Sequence, residues 1–190
     1  NAGRDRLWSV SCGGQQGEVG LAGDLGSSVM LLGKTDAPVS MDGVNGKLVW
    51  AHQSTVSQCR LQDTPPGEVR LERGGKGCGR ELGQSDFAAT AIQFSPNGRF
   101  ICVQGDGEYS IYTAVAWRNR AFGKSSDFVW AAASVGNNVF AVRDSPNTIR
   151  VFEDFQECMV IKTDVTIDRI YGNGSVLAAS GSGYCLFYDY

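Results

Sequence analysis

The sequence predicts an all-β protein built from four-stranded antiparallel blades, and three observations carry that prediction. Turn signals centred on glycine punctuate the chain at short intervals, with 25 Gly against only 5 Pro. The apolar runs between them are short and rich in β-branched and aromatic residues, which suits strands rather than helices. A strand-turn-strand unit also recurs at a nearly constant spacing, as stacked repeats do.

The clearest unit is residues 94–117, FSPNGRFICVQGDGEYSIYTAVAW. It reads as three strands joined by turns at Ser95-Pro96-Asn97-Gly98 and Gly105-Asp106-Gly107-Glu108. Pro96 presets the backbone angle of the second turn position, while Gly98, Gly105 and Gly107 accept a positive φ without steric cost. Residues 100–103, Phe-Ile-Cys-Val, are apolar without a break, which predicts a strand covered on both faces. The last strand of the unit is expected over 109–117.

Similar hairpins follow. Arg99-Phe-Ile-Cys-Val aligns with Asn138-Val-Phe-Ala-Val and with Ser175-Val-Leu-Ala-Ala. The aligned positions Ile111, Ile149 and Leu186 recur at intervals of 38 and 37 residues. That is just under the roughly 40 to 45 residues of a four-stranded propeller blade. A lead strand precedes each hairpin, at 90–94, 128–132 and 166–171.

The first third has the same character with less regularity. A lead strand at 7–10 precedes a hairpin through Val19, Asp24 and Val29. Next come 39–41, a turn at Asn45-Gly46, 47–50, and strand candidates at 56–61 and 68–71 divided by Thr64-Pro65-Pro66-Gly67. Residues 72–85, ERGGKGCGRELGQS, crowd glycines that pack poorly in a strand and read as a surface loop.

Composition narrows the function classes. A formal charge of −3 lacks the basic balance of a nucleic-acid binder. One local basic cluster, Arg118-Asn119-Arg120 with Lys124, reads as a solvated loop; the alternative is contact with phosphate or a lipid headgroup. The longest nearly apolar run, 128–135, falls far short of the roughly 20 residues of a membrane span. The opening Asn-Ala-Gly-Arg-Asp, with neither initiator Met nor signal peptide, reads as the cut end of a longer protein.

Chemistry-bearing motifs fail on inspection. Six cysteines stand at 12, 59, 78, 102, 158 and 185 without a C-x-x-C pair, and there is a single histidine, so no metal site is expected. Reduced thiols are expected, with Cys102 and Cys185 inside apolar strands, and the even count leaves disulfides as the alternative. Ala121-Phe122-Gly123-Lys124-Ser125 ends like a phosphate-binding loop, but the required first glycine falls at Arg118. Glycines 74–79 lack dinucleotide-binding spacing, and no cofactor is expected. His52 has Ser54 and Ser57 nearby but no nucleophile elbow. Asp106 and Glu108 shape a turn, no catalytic pair converges, and an enzyme is not expected. Trp117, Trp130, Tyr109, Tyr112, Tyr171 and Tyr188 read as packing between blades, with a peptide anchor as the alternative.

These residues carry a resemblance. The segments SMDGVNGKLVWA at 40–51 and PNGRFICVQGDGEYSIYTAVAWRNRAFG at 96–123 are followed by FVWA, AVRDSPNTIRVFEDFQE, RIYGNGSVLA and LFYDY. Together they resemble the coatomer beta-prime family of WD-repeat vesicle-coat proteins. The resemblance implies partial WD-repeat β-propellers: 1–34 as the last blade of a first propeller, 35–86 as a crossover with the first strands of a second and a Gly-rich loop, and 87–190 as three blades of the second. It further implies a non-enzymatic scaffold of the coatomer (COPI) coat in Golgi-to-ER retrograde and intra-Golgi transport. Its partners would be other coat subunits, above all the alpha subunit. It would be cytoplasmic and peripheral on Golgi membrane and coated vesicles, with no nucleic-acid partner. The family's pocket for dilysine sorting signals belongs to earlier blades, so no site residue carries over. A propeller reading peptide or ubiquitin is the alternative. The Trp-Asp dipeptides of standard WD repeats are missing, Tyr188-Asp189 being the nearest match.

Overall fold

A computed structural model describes residues 7–13, 18–23, 26–31, 37–42, 44–60, 79–131 and 138–190, with side chains from residue 37 onward. The described residues contain strands and turns and no helix. They fall into two compact units, Asn1–Ala37 and Pro38–Tyr190.

The first unit is an antiparallel meander of β1 (Leu7–Gly13), β2 (Glu18–Gly23) and β3 (Gly26–Leu31). It agrees with the hairpin and lead strand expected there.

The second unit holds four meandering sheets, each an antiparallel blade. The first comprises β4 (Val39–Asp42), β5 (Lys47–His52), β6 (Thr55–Arg60) and β7 (Arg80–Gln84). The second comprises β8 (Ala91–Phe94), β9 (Phe100–Gly105), β10 (Glu108–Thr113) and β11 (Asn119–Lys124). The third comprises β12 (Asp127–Trp130), β13 (Val139–Ser145), β14 (Thr148–Glu153) and β15 (Gln156–Lys162). The last has three strands, β16 (Arg169–Asn173), β17 (Val176–Gly181) and β18 (Tyr184–Asp189).

Alternation along the strands explains how the blades stack. In β9, Ile101 and Val103 point into one core with Val49, Ala51 and Val56 of the first blade. Phe100 and Cys102 point the other way, into a core shared with Phe128, Trp130, Phe140 and Val142 of the third. All four residues are buried, as the unbroken apolar run predicted. The third blade repeats the device: Phe140 and Val142 face back, while Ala141, Ile149 and Val151 pack on Ile170, Leu177 and Ala179 of the last blade.

The turns follow the chemistry of their residues. Asp106 and Gly107 both take positive φ, 52° and 75°, the geometry of a two-residue type I′ hairpin. Gly98 sits at φ 66°. Gly105 is not among the positive-φ residues, contrary to expectation. A Cβ there would strike the Ala88 carbonyl oxygen and the Phe87 ring, so a close approach requires the glycine.

Four local expectations are corrected. The strand expected over 109–117 ends at Thr113, and residues 114–116 turn the chain. The basic stretch read as a loop becomes the outer edge strand β11 from Asn119 to Lys124. Within the 72–85 loop, Arg80–Gln84 forms β7, while 72–78 lie outside the described residues, as does the strand candidate at 68–71. Finally, Ile111, Ile149 and Leu186 do not share one register. They lie three, one and two residues past the first pair of their hairpins, and an irregularity between Arg143 and Ser145 contributes to the offset.

Candidate functional site

The residues weighed for catalysis are not gathered. His52 is exposed at the end of β5, opposite Thr55. Ser54 lies in the adjoining turn and accepts the Ser85 amide at 2.8 Å on its carbonyl, and Ser57 lies on β6 opposite Trp50. Residues 121–125 form the end of edge strand β11 and the turn after it, so the strand-loop-helix context of a phosphate cradle is missing there. Asp106 sits within a hairpin turn and Glu108 just after it. Among the described residues no cluster of three metal-ligating side chains occurs. Cys59, Cys102, Cys158 and Cys185 form no disulfide; burial pushes Cys102 well above the ordinary thiol range. The side chains of Cys12 and Cys78 lie outside the described residues. No described helix is long and apolar enough to cross a membrane.

What the structure does assemble is a set of contacts that lock blade to blade. Along the inner strands, each blade bonds to the next through one polar side chain. Ser40 Oγ on β4 accepts the Phe94 amide of β8 at 3.1 Å. Gln93 Nε2 on β8 donates to the Phe128 carbonyl of β12 at 3.3 Å. Asp127 Oδ2 on β12 accepts the Ile170 amide of β16 at 2.8 Å. Each bond satisfies a backbone group that a sheet edge would leave open.

A second device repeats at the end of each outer strand. The amides of Ser85, Ser125 and Thr163 donate to the carbonyls of Ser54, Gly107 and Asn147, in the central hairpin turn of the same blade, at 2.8, 2.8 and 2.9 Å. Their hydroxyls donate two residues onward to the Phe87, Asp127 and Val165 carbonyls, at 2.7, 2.6 and 2.7 Å. The sequence reading missed this repeat. Its signal is a Ser or Thr closely followed by Asp, seen at Ser85-Asp86, Ser125-Ser126-Asp127 and Thr163-Asp164.

A third link joins the second and third blades. Asn97 Oδ1 accepts from the Ser95 hydroxyl and the Arg99 amide, while Asn97 Nδ2 donates to Asn138 Oδ1 at 3.0 Å. The amide and Nδ2 of Asn138 then donate to Asp154 Oδ1. These bonds, foremost the Asn138 amide, hold the Asp154 carboxyl below its usual range.

The aromatics mostly pack between blades. Phe140 stacks on Phe128 and Phe152 with centroids 5.2 and 4.9 Å apart, and Trp130 meets it edge-on at 5.4 Å. Tyr109 lies against Phe128, and burial first, then Cys102, pushes its hydroxyl up to about 12. Trp117, at φ 50°, stacks on Tyr112 at 4.3 Å and donates Nε1 to the Gln84 carbonyl of the first blade. Tyr188 packs on the last core, whereas Tyr171 is exposed.

The repeated four-stranded sheets, stacked face on face, define partial blades of a WD-repeat β-propeller. The crystallised WD40 propeller of Doa1 matches 97% of this chain and 61% of its own length at a TM-score of 0.55, with 14% identity, which bears on the fold alone. The model of the COPA/B second beta-propeller matches residues 77–190, and the chain belongs to that family. Bovine and human coatomer subunit beta' are each 36% identical over 190 residues, and the fruit-fly subunit 35% over 191. Each match covers all of this chain and 20% of the relative, so the chain spans about one fifth of their length.

Proposed function

We propose that this chain is a stretch of a coatomer beta'-type scaffold, whose blades hold other subunits of the COPI coat, the alpha subunit foremost. The observation that carries the reading is similarity at 36% identity along the whole chain to coatomer subunit beta', together with the family match. The chemistry is consistent with it: the polar side chains that repeat from blade to blade are engaged in locking blades, not in converging on a cleft. In this reading the protein works in the cytoplasm, peripheral on Golgi membrane and coated vesicles, in Golgi-to-ER retrograde and intra-Golgi transport, and catalyses nothing.

The domain order is part of the proposal. Residues 1–34 are the closing blade of a first propeller. Residues 35–86 hold the crossover and, as β4 to β7, the opening blade of a second. Residues 87–190 carry three further blades. Affinity purification of the tagged full-length protein from cells tests the function. Stoichiometric recovery of the alpha subunit and the remaining coat subunits is expected, with crosslinks to loops 114–118. Recovery of the protein without coat subunits would contradict the proposal.

A further inference from the structure

We propose that the outer edge of the third blade, strand β15, is a pairing surface for a second copy of this protein. β15 is the last strand of its sheet, and β14 covers one of its two edges. On that side the Thr163 amide donates to the Asn147 carbonyl, while Ile161 and Met159 lie opposite Ile149 and Val151. Alternation along an antiparallel ladder therefore turns the amides and carbonyls of Val160 and Lys162 towards the other edge. Among the described residues no strand pairs there. β14, β15 and the turns at both ends of β15 belong to the unbroken described stretch 138–190.

Three blades have a fourth, outer strand, and of these β15 lacks protection. β7 carries Arg80, Glu81 and Gly83, and β11 carries Arg120, Gly123 and Lys124. Charge and glycine along an open edge discourage pairing. The centre of β15 reads Cys158-Met159-Val160-Ile161, four residues with neither. Met159 is 41% exposed on the face turned to the last blade, and Val160 is 39% exposed on the opposite face, beside Arg150. The strand is thus apolar on both sides. Strand β18 is apolar too, but it stands third in its sheet, with the edge that a fourth strand covers in the other blades.

The two ends of the strand select the occupant. Glu157 stands near one end and Lys162 at the other. Antiparallel pairing of two β15 strands about a two-fold axis through Val160 sets Val160 against its own copy and Met159 against Ile161. Lys162 then lies opposite Cys158 and beside Glu157 of the second copy. Glu157 Oε2 accepts from Arg150 Nη1 at 2.7 Å, and Lys162 forms no ion pair among the described residues. Opposite charges therefore meet at both ends of an apolar centre, as a self-complementary two-fold contact requires. The same operation on β11, about Phe122, would set Arg120 against Lys124, cation on cation. Edge polarity and charge order together fit β15 to itself.

The test is analytical ultracentrifugation of the full-length protein over a concentration series. Reversible dimerisation is expected, and hydrogen exchange at the Val160 and Lys162 amides should slow as the dimer forms. V160K puts like charges on the axis and should weaken dimerisation by about tenfold or more. The axis repeats the Lys162–Glu157 contact, so at about threefold per contact E157K and K162E should each weaken it about tenfold. The swap E157K/K162E should restore most of the affinity. These are exposed side chains, and unchanged melting curves check that each variant remains folded. A monomer at every concentration would overturn the proposal, as would a dimer that V160K leaves intact. So would protection of the β15 amides only in the assembled coat, which would give the edge to another subunit. The coat reading stands or falls separately, on co-purification.

Discussion

The second blade and the last are built from the same hairpin, yet their sheets meet solvent very differently. In β9 the side chains of 100–103 are buried on both faces, each face in a different core. In the last blade Leu177 and Ala179 are buried, but the other face leaves Tyr171 55%, Val176 45% and Phe187 69% exposed. The row Tyr171–Ala178–Phe187 runs across its strands as Val129–Ala141–Val151 runs across the third blade. Within residues 38–190, the second blade shares a core with a neighbour on each face and the last blade on one face. Burial in this fold is set by a blade's place in the stack, and the composition of a strand only permits it.

Substitutions can break that comparison, and the largest effect is expected in the middle. Ile111→Asp puts an unpaired carboxylate into a position with no exposure, and should cost about 3 to 5 kcal/mol by urea denaturation. Gly105→Ala forces a methyl onto the Ala88 carbonyl oxygen, and should cost about 1 to 3 kcal/mol in the same measurement. Alkaline pH sharpens the contrast further. Because the folded Tyr109 hydroxyl is raised to about 12 from an ordinary 10, the unfolded chain ionises first. Its contribution to stability is thus constant below pH 10 and falls as pH rises towards 12. Tyr109→Phe should flatten that decline in a pH series of urea midpoints. The smallest effect belongs to the last blade, where Phe187→Asp should change the stability of the 190-residue chain by no more than about 0.5 kcal/mol.

The parts of the fold legible in the sequence were those where local chemistry and packing agree. Asp106-Gly107 announced a hairpin and formed one, and Phe-Ile-Cys-Val announced burial on both faces. The basis for β7 was hidden because glycine has two uses. In RELGQ and just before it, Gly79 and Gly83 admit the Trp50 and Trp117 rings, which a Cβ would strike. At these two positions glycine marks close approach and not looseness. Strand β11 was hidden because an outer edge needs no apolar face, and its Arg120 and Lys124 are the charges that keep such an edge from pairing. The hydroxyls of Ser85, Ser125 and Thr163 were missed for another reason: a small hydroxyl recurring every 40 and 38 residues stands out only once its carbonyl partners are seen.

Native-state thiol labelling of the 190-residue chain, mapped by peptide mass spectrometry, reads the difference between blades directly. Cys102 has no exposure in the second blade, while Cys185 is exposed on the open face of the last. Cys185 should react at the rate of a free thiol, and Cys102 only as fast as the chain unfolds. Labelling of Cys102 as rapid as that of Cys185 would contradict a second blade sealed on both faces by its neighbours.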